Sequence, residues 1–126
     1  MIVKSGDDLR SEQIAMQLIE SIDLIFKKRK LKLKLQTYEI LSTGPNCGIV
    51  EFITDSFSID YIKKKMQETL QMEIDLVDFY RIRFGEPTSK AYVQAIKNLS
   101  DSLAAYSLVC YILQIKDRHN ANILIN

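Results

Sequence analysis

The stretch KDRHNANILIN, residues 116–126, decides how the rest of the sequence is interpreted. It places an acid, a guanidinium, the only histidine of the chain and two asparagines within six positions, directly after a long apolar segment. Side chains of these types are rarely buried unless they are paired. The cluster therefore indicates a site of chemistry and not a piece of core.

The composition is typical of one folded domain. The 126 residues are 47% hydrophobic and 26% charged, which argues against disordered and fibrous classes, and the net charge of +1 implies no global attraction to nucleic acid. Cys47 and Cys110 lie far apart without a second Cys or His at metal-ligand spacing, which favours a reducing compartment over a zinc site or disulfide framework. No apolar run suits a membrane span or a signal peptide, so we expect an intracellular, non-spanning chain.

The first half of the sequence predicts short strands around one helix. Residues 1–4 end a strand, and the SGDD turn that follows offers an Asp to cap a helix. Apolar residues at three- and four-residue steps predict that this helix runs from about Leu9 to Lys27. Residues 37–43 and 49–54, joined by GPNCG, predict a β-hairpin.

The second half predicts helices. Segments 58–70 and 72–84 have helical patterns, and FGEPT ends the second of them. Thr88 or Ser89 then caps a long helix, whose predicted core face carries Tyr92, Ala95, Leu99, Leu103, Tyr106, Cys110 and Leu113. A short strand is predicted over 122–125, so the fold class is α+β, with two small lobes that divide near residue 54.

The stretch KKRKLKLKLQ, residues 27–36, concentrates basic residues. We favour a helix end, where cations suit the helix dipole, followed by an exposed strand edge. A membrane-surface patch is the alternative, because each basic residue near anionic lipid contributes about 1 kcal/mol.

Phosphoryl transfer is the chemistry that the polar loop fits. It needs a base for the attacking hydroxyl, oxygen ligands for magnesium and cations over the phosphates. Asp117 and His119 are candidate bases, Asn122 is a candidate metal ligand, and Arg118 can order the loop. Lys4 can reach phosphate oxygens as a point charge. Each feature also has a structural explanation when it is taken alone, namely a polar turn or a common strand-end lysine.

Together, three blocks resemble the catalytic domain of the phosphatidylinositol 3- and 4-kinase family in order and approximate spacing. They are KSGDDLRSE (4–12), GIVEFITDSFS (48–58) and SLAAYSLVCYILQIKDRHNANILI (102–125). The type III 4-kinases are most similar, since Lys116 stands where 3-kinases usually carry Gly, and the alpha form is favoured over the beta form. The resemblance implies a partial protein-kinase-like bilobal fold, with residues 1–53 in the N-lobe and 54–126 in the C-lobe up to the catalytic loop.

The resemblance also implies roles for individual residues. Lys4 would contact the ATP phosphates, and Glu12 would line the back of the ATP pocket near Tyr38. The hinge that binds adenine would be Glu51, Phe52 and Ile53. Asp117 and His119 would activate the inositol hydroxyl and handle charge at the phosphoryl group, Asn122 would bind magnesium, and Arg118 would be structural. Three positions depart from the family pattern, Ser11, Thr37 and Ala121, and only Ala121 touches the loop, where it is harmful if that position needs a positive φ.

The resemblance further implies ATP and Mg²⁺ as cofactors and phosphatidylinositol as the substrate. It implies a cytoplasmic location, peripheral at membranes, with regulatory protein subunits as partners and no nucleic acid. The family's phosphate loop and Asp-Phe-Gly motif are not among the 126 residues, so we expect the isolated chain to be inactive. The alternatives are a non-catalytic interaction protein that kept the scaffold, a 3-kinase-like enzyme and a related protein kinase.

Overall fold

A computed structural model describes all 126 residues and has the predicted α+β composition. The elements in chain order are β1 (Ile2–Ser5), α1 (Arg10–Lys28), β2 (Ile40–Gly44), β3 (Cys47–Val50), β4 (Phe57–Ser58), α2 (Ile59–Leu70), α3 (Leu76–Phe84), α4 (Lys90–Leu113), a 3-10 turn (Asn120–Asn122) and β5 (Leu124–Ile125). None of the helices is both long and apolar enough to cross a bilayer.

The chain forms two compact units, and each is described by itself. The first unit comprises residues 1–54 and 102–114, and the second comprises residues 55–101 and 115–126. The first therefore holds β1, α1, β2, β3 and the last part of α4. The second holds β4, α2, α3, the first part of α4 and the chain after residue 114.

An antiparallel sheet with the strand order β1-β3-β2 organises the first unit. Its central strand β3 places Gly48 opposite Lys4 of β1 and opposite Ser42 of β2. A Cβ atom at Gly48 would lie 2.5 Å from the carbonyl oxygen of Leu41 and 2.7 Å from Cδ1 of Leu9. The glycine thus lets the buried Leu9 side chain and the neighbouring backbone approach the middle of the sheet.

Helix α1 packs on this sheet through its apolar side and one polar bond. Ile19 and Phe26 are buried, seven residues apart on one face of the helix. The side-chain oxygen of Gln13 accepts a hydrogen bond from the Ser42 amide of β2 at 3.1 Å. The predicted helix is confirmed, and the carboxylate of Asp8 accepts from its first amide at 3.2 Å.

The β-hairpin is confirmed, but its strands are shorter than predicted. β2 begins at Ile40 and β3 ends at Val50, so residues 51–53 follow the strand instead of belonging to it. In the predicted strand at 122–125, only Leu124–Ile125 form β5. It pairs antiparallel with β4. Of the other two predicted residues, Asn122 ends the 3-10 turn, and Ile123 is extended, with its carbonyl accepting a hydrogen bond from the Ile59 amide at 3.0 Å.

The strand edge expected after Lys27 is wrong, because residues 31–39 form no regular secondary structure. The hydroxyl of Tyr106 accepts a hydrogen bond from the Gln36 amide at 3.0 Å. The same hydroxyl donates to the Gln36 carbonyl at 2.5 Å. Since one side chain uses both backbone groups of Gln36, that residue is not available for a strand ladder.

The helices of the second half are confirmed with shifted starts and one misplaced core residue. Ser58 caps α2, Asp75 caps α3, and the Ser89 hydroxyl accepts from the third amide after it at 3.1 Å, as predicted for α4. Leu103 was predicted to face the core but is 59% exposed, whereas Ala105 and Val109 are buried. The other six predicted core residues of α4 are half-buried, so Leu103 alone lies off the buried side of the helix.

Candidate functional site

The polar loop after α4 is held in a defined conformation by its own side chains. Asp117 has a φ of 58°, in the left-handed region that Asp adopts more readily than most residues. The amide group of Asn122 donates to the Asp117 carbonyl at 2.9 Å and lies 3.4 Å from its carboxylate. The left-handed turn and this bond bring residues five apart in sequence together on one loop.

The imidazole of His119 is oriented by the backbone. Its Nδ1 accepts a hydrogen bond from the Ala121 amide at 3.2 Å, so in the neutral ring the proton belongs on Nε2. Nε2 lies 3.6 Å from Oδ1 of Asp117. Both side chains are exposed, which leaves them accessible to a substrate. The loop therefore presents a carboxylate and an imidazole N–H side by side.

The side chain of Arg118 contacts the backbone on both sides of it in the loop. Its guanidinium donates to the Lys116 carbonyl at 2.9 Å, and a longer contact of 3.5 Å reaches the Asn122 carbonyl. Both acceptors are backbone atoms of the loop itself. Such bonds order a turn without consuming the carboxylate of Asp117.

Ala121 does not distort the loop. The positive φ angles in this part of the chain belong to Gln114 and Asp117, and Ala121 lies in the 3-10 turn without one. The substitution that could have disturbed the loop therefore carries no backbone strain. Sequence reasoning did not anticipate that the strained position is Asp117 itself, although the tolerance of Asp for left-handed geometry is a signal.

The oxygen ligands on the loop are few. Asn122 directs its amide nitrogen at Asp117, which leaves its Oδ1 as an acceptor, and the Asp117 carboxylate is a second oxygen ligand. No cluster of three His, Cys, Asp or Glu side chains that could hold a metal ion occurs in the chain. Magnesium is commonly bound by one or two protein oxygens together with substrate phosphates and water. The residues present fit that mode and not a closed protein cage.

The predicted nucleotide-binding residues lie in the first unit. Lys4 is in β1, where its Nζ lies 3.4 Å from the carboxylate of Asp7. Glu12 is exposed in the first turn of α1. Lys4 is about half exposed at its side chain, so its ammonium group remains accessible.

The predicted hinge follows β3 directly. The Glu51 amide donates to the Glu39 carbonyl at 2.8 Å, and the Glu51 carboxylate accepts from the Glu39 amide at 2.9 Å. Phe52 is exposed and Ile53 is half-buried. These bonds anchor the start of the hinge segment to the chain that leads into β2, where Tyr38 is half-buried.

Two ion pairs near these residues were not predicted from the sequence. Asp8 accepts two strong hydrogen bonds from the Arg10 guanidinium, at 2.8 and 2.6 Å, and this partner lowers the pKa of Asp8 to about 2. Asp23 is buried in α1 and pairs with Lys27 at 2.5 Å. Burial raises the pKa of Tyr106, and the nearby Asp23 charge acts in the same direction. The position of Asp23 on an apolar helix face is a sequence signal for a buried acid. Its spacing of four residues from Lys27, however, is also typical of an ordinary surface ion pair.

The structure thus brings four predicted site residues together on one loop of the second unit. They are Asp117, Arg118, His119 and Asn122. The other six, Lys4, Glu12, Tyr38, Glu51, Phe52 and Ile53, lie in the first unit. The chemical roles expected for both groups remain predictions.

Comparisons with known proteins agree on one family. The sequence model described as phosphatidylinositol 3- and 4-kinase matches residues 1–126. All of this chain aligns with 10% of a phosphatidylinositol 4-kinase of Dictyostelium discoideum at 44% identity. It also aligns with 13% of one from Saccharomyces cerevisiae at 42% identity and with 15% of the beta enzyme of Sorex araneus at 37% identity. The chain therefore spans a small part of the length of these relatives.

Proposed function

The chain belongs to the phosphatidylinositol 3- and 4-kinase family, and we propose that it forms part of a phosphatidylinositol 4-kinase catalytic domain. The reaction would transfer the γ-phosphate of ATP to the 4-hydroxyl of the inositol ring of phosphatidylinositol. The observation that carries this proposal is the loop on which the Asp117 carboxylate, the His119 Nε2 and the Asn122 amide converge. The names of the relatives supply the 4-kinase specificity.

The proposed roles combine the family resemblance with the hydrogen bonds of the loop. Asp117 would accept the proton of the inositol hydroxyl while the hydroxyl oxygen forms a bond to the γ-phosphorus. The bond from this phosphorus to the ADP oxygen would break at the same time. His119, with its proton on Nε2, would donate toward the negative charge on the transferred group. Arg118 would keep the loop closed through its backbone bonds. The loop would thus supply both a proton acceptor, Asp117, and a hydrogen-bond donor, His119.

A magnesium ion fits the remaining groups of the loop. Asn122 would hold it through Oδ1, with phosphate oxygens completing its coordination. When bound, the ion would neutralise phosphate charge during transfer. Lys4 would add a positive charge at the phosphates.

The adenine site is proposed at the segment after β3. The resemblance to the family assigns the Glu51 carbonyl and the Ile53 amide to adenine, with Phe52 between them, and the Glu51 amide is bonded to the Glu39 carbonyl. Glu12 and Tyr38 would line the back of the pocket. Residues 1–53 would then belong to the N-lobe and 54–126 to the C-lobe.

We further propose that the parent enzyme acts in the cytoplasm, peripherally at membranes, and that it works with regulatory protein subunits and no nucleic acid. The alpha form stays our preferred subtype. These expectations come from the resemblance of the sequence blocks to the family.

A chimera tests the proposal directly. Residues 1–126 would replace the matching segment of the Saccharomyces cerevisiae relative, to which they align over 135 residues. We expect the purified chimera to phosphorylate phosphatidylinositol, with headgroup analysis showing the 4-phosphate. Asp117→Asn should reduce turnover at least about 100-fold, the usual scale of lost proton transfer, whereas Asp60→Asn in the exposed first turn of α2 should leave it unchanged.

The outcomes separate the alternatives. A folded chimera that binds ATP but transfers no phosphate, with or without Asp117, supports a non-catalytic interaction protein that kept the scaffold. A product carrying the 3-phosphate supports a 3-kinase, and transfer to peptide in place of lipid supports a related protein kinase. Lys4, Asp117 and Asn122 are all retained, which is the observation that favours catalysis.

A further inference from the structure

The end of α1 and the chain that follows it carry a surface that the proposed function does not use. We define the basic patch as Lys28, Arg29, Lys30 and Lys32, together with the apolar side chains of Leu24, Ile25 and Leu31. We propose that the basic patch binds the surface of a membrane that contains anionic lipid. The inference does not depend on kinase activity, because lipid binding can be measured without turnover.

The basic side chains of the patch have no internal counter-charge. Lys27 is neutralised by Asp23 at 2.5 Å, whereas Lys28, Arg29, Lys30 and Lys32 are exposed and make no ion pair. No acidic residue occurs between Asp23 and Glu39 in the sequence. A chain with a net charge of only +1 therefore concentrates four unpaired cations within five positions.

The apolar members lie among these charges. Leu24 is 65% exposed, Ile25 is 56% exposed and Leu31 is 49% exposed. Leu24 and Lys28 are four residues apart on α1 and so share one face. Large apolar side chains on a surface rich in lysine and arginine are typical of segments that lie in a membrane interface.

The backbone keeps Leu31 next to the last turn of the helix. Lys30 has a φ of 54°, which turns the chain sharply after α1. The Leu31 amide then donates to the Phe26 carbonyl at 2.9 Å. This bond fixes the backbone of Leu31 against the last turn of α1, beside the basic residues of that turn.

The side-chain types favour lipid over nucleic acid. Proteins that bind single-stranded nucleic acid combine basic residues with aromatic side chains on which bases stack. The only aromatic residue from Leu24 to Gln36 is Phe26, and it is buried. Exposed leucine and isoleucine offer nothing to a base but can enter the headgroup region of a bilayer.

Vesicle flotation of the purified chain tests the inference. We expect binding to vesicles made of equal parts of phosphatidylcholine and phosphatidylserine and little binding to phosphatidylcholine alone, with the affinity falling as salt is added. The triple variant Lys28→Gln, Arg29→Gln, Lys32→Gln should bind about 100-fold more weakly, at about 1 kcal/mol for each basic residue near the surface.

A matched control changes the same number of charges elsewhere. Lys63→Gln, Lys64→Gln, Lys65→Gln removes three exposed lysines of α2 and should bind like the original chain. Circular dichroism must show equal helix content in all variants. An equal loss of binding in both triple variants would overturn the proposal, because net charge would then explain the attraction.

The apolar members provide the second arm. Leu24→Gln combined with Leu31→Gln should weaken binding to the anionic vesicles and leave any binding to a single-stranded oligonucleotide unchanged. If the original chain binds the oligonucleotide at least as tightly as the vesicles, and the double variant binds both normally, the patch is a general polyanion site and the proposal is wrong.

Discussion

Replacing Gly48 by alanine should destabilise the first unit through one backbone contact. Gly48 lies in the central strand, opposite Lys4, and its φ is not in the left-handed region, so alanine is conformationally allowed there. The new Cβ would nevertheless lie 2.5 Å from the Leu41 carbonyl oxygen, closer than the 3.0 Å below which Cβ contacts essentially never occur. Leu41 of β2 is paired with Ile49, the residue that follows Gly48 in β3, and it cannot move without disturbing the sheet.

The magnitude follows from two opposing effects. Overpacking of a well-packed site costs about 1–3 kcal/mol, and a rigid backbone partner places this site near the upper value. Alanine also restricts the unfolded chain, which stabilises the fold by up to about 1 kcal/mol. The net loss in the free energy of unfolding should be about 2 kcal/mol, which corresponds to a decrease in Tm of about 8 °C for a domain of this size.

Thermal and urea unfolding followed by circular dichroism measure this loss. Gly6→Ala serves as the control, since Gly6 has a φ of 94° and nothing within 4 Å of an added Cβ; it reports conformational strain alone. Leu9→Val in the Gly48→Ala background removes the second close contact, 2.7 Å from Leu9 Cδ1, and should recover only part of the loss. Unchanged stability of Gly48→Ala, or full recovery by Leu9→Val, would refute the role given to the Leu41 carbonyl.

Two further predictions concern polar groups that the structure places in pairs. Tyr106→Phe removes both hydrogen bonds to the Gln36 backbone and should lower the free energy of unfolding, measured by urea titration, by about 1–2 kcal/mol. The control Tyr111→Phe changes a side chain that is 76% exposed and should leave the stability unchanged. Equal losses in the two variants would contradict the role given to these hydrogen bonds. The pKa of Asp8 is lowered to about 2 by Arg10, so the stabilisation from this pair is complete above the ordinary carboxyl pKa of 3.8 and disappears as the pH falls toward 2. NMR titration of the Asp8 carboxyl should show that Arg10→Gln returns its pKa toward the ordinary value, and no change in the variant would exclude Arg10 as the cause.

The residues of the loop could be predicted from the sequence, but their conformation could not. Asp117, His119 and Asn122 stood out because clustered polar residues after an apolar helix have no use in a core. The left-handed φ of Asp117 and the bond from the Ala121 amide to His119 depend on backbone geometry that neighbouring residue types do not specify. The tautomer proposed for His119 follows from that bond alone.

The sequence by itself determined the helices and their approximate limits, because apolar spacing and capping side chains are local properties. It also determined the family, through three ordered blocks of residues. Only the tertiary structure decided where the strands end, since ladder pairing depends on distant partners such as Tyr106, which occupies the backbone of Gln36. The same holds for Leu103, which is exposed although the other six residues predicted on its helix face are half-buried. Burial and pairing are set by what the rest of the chain brings to a residue, and that information is not contained in its neighbours in sequence.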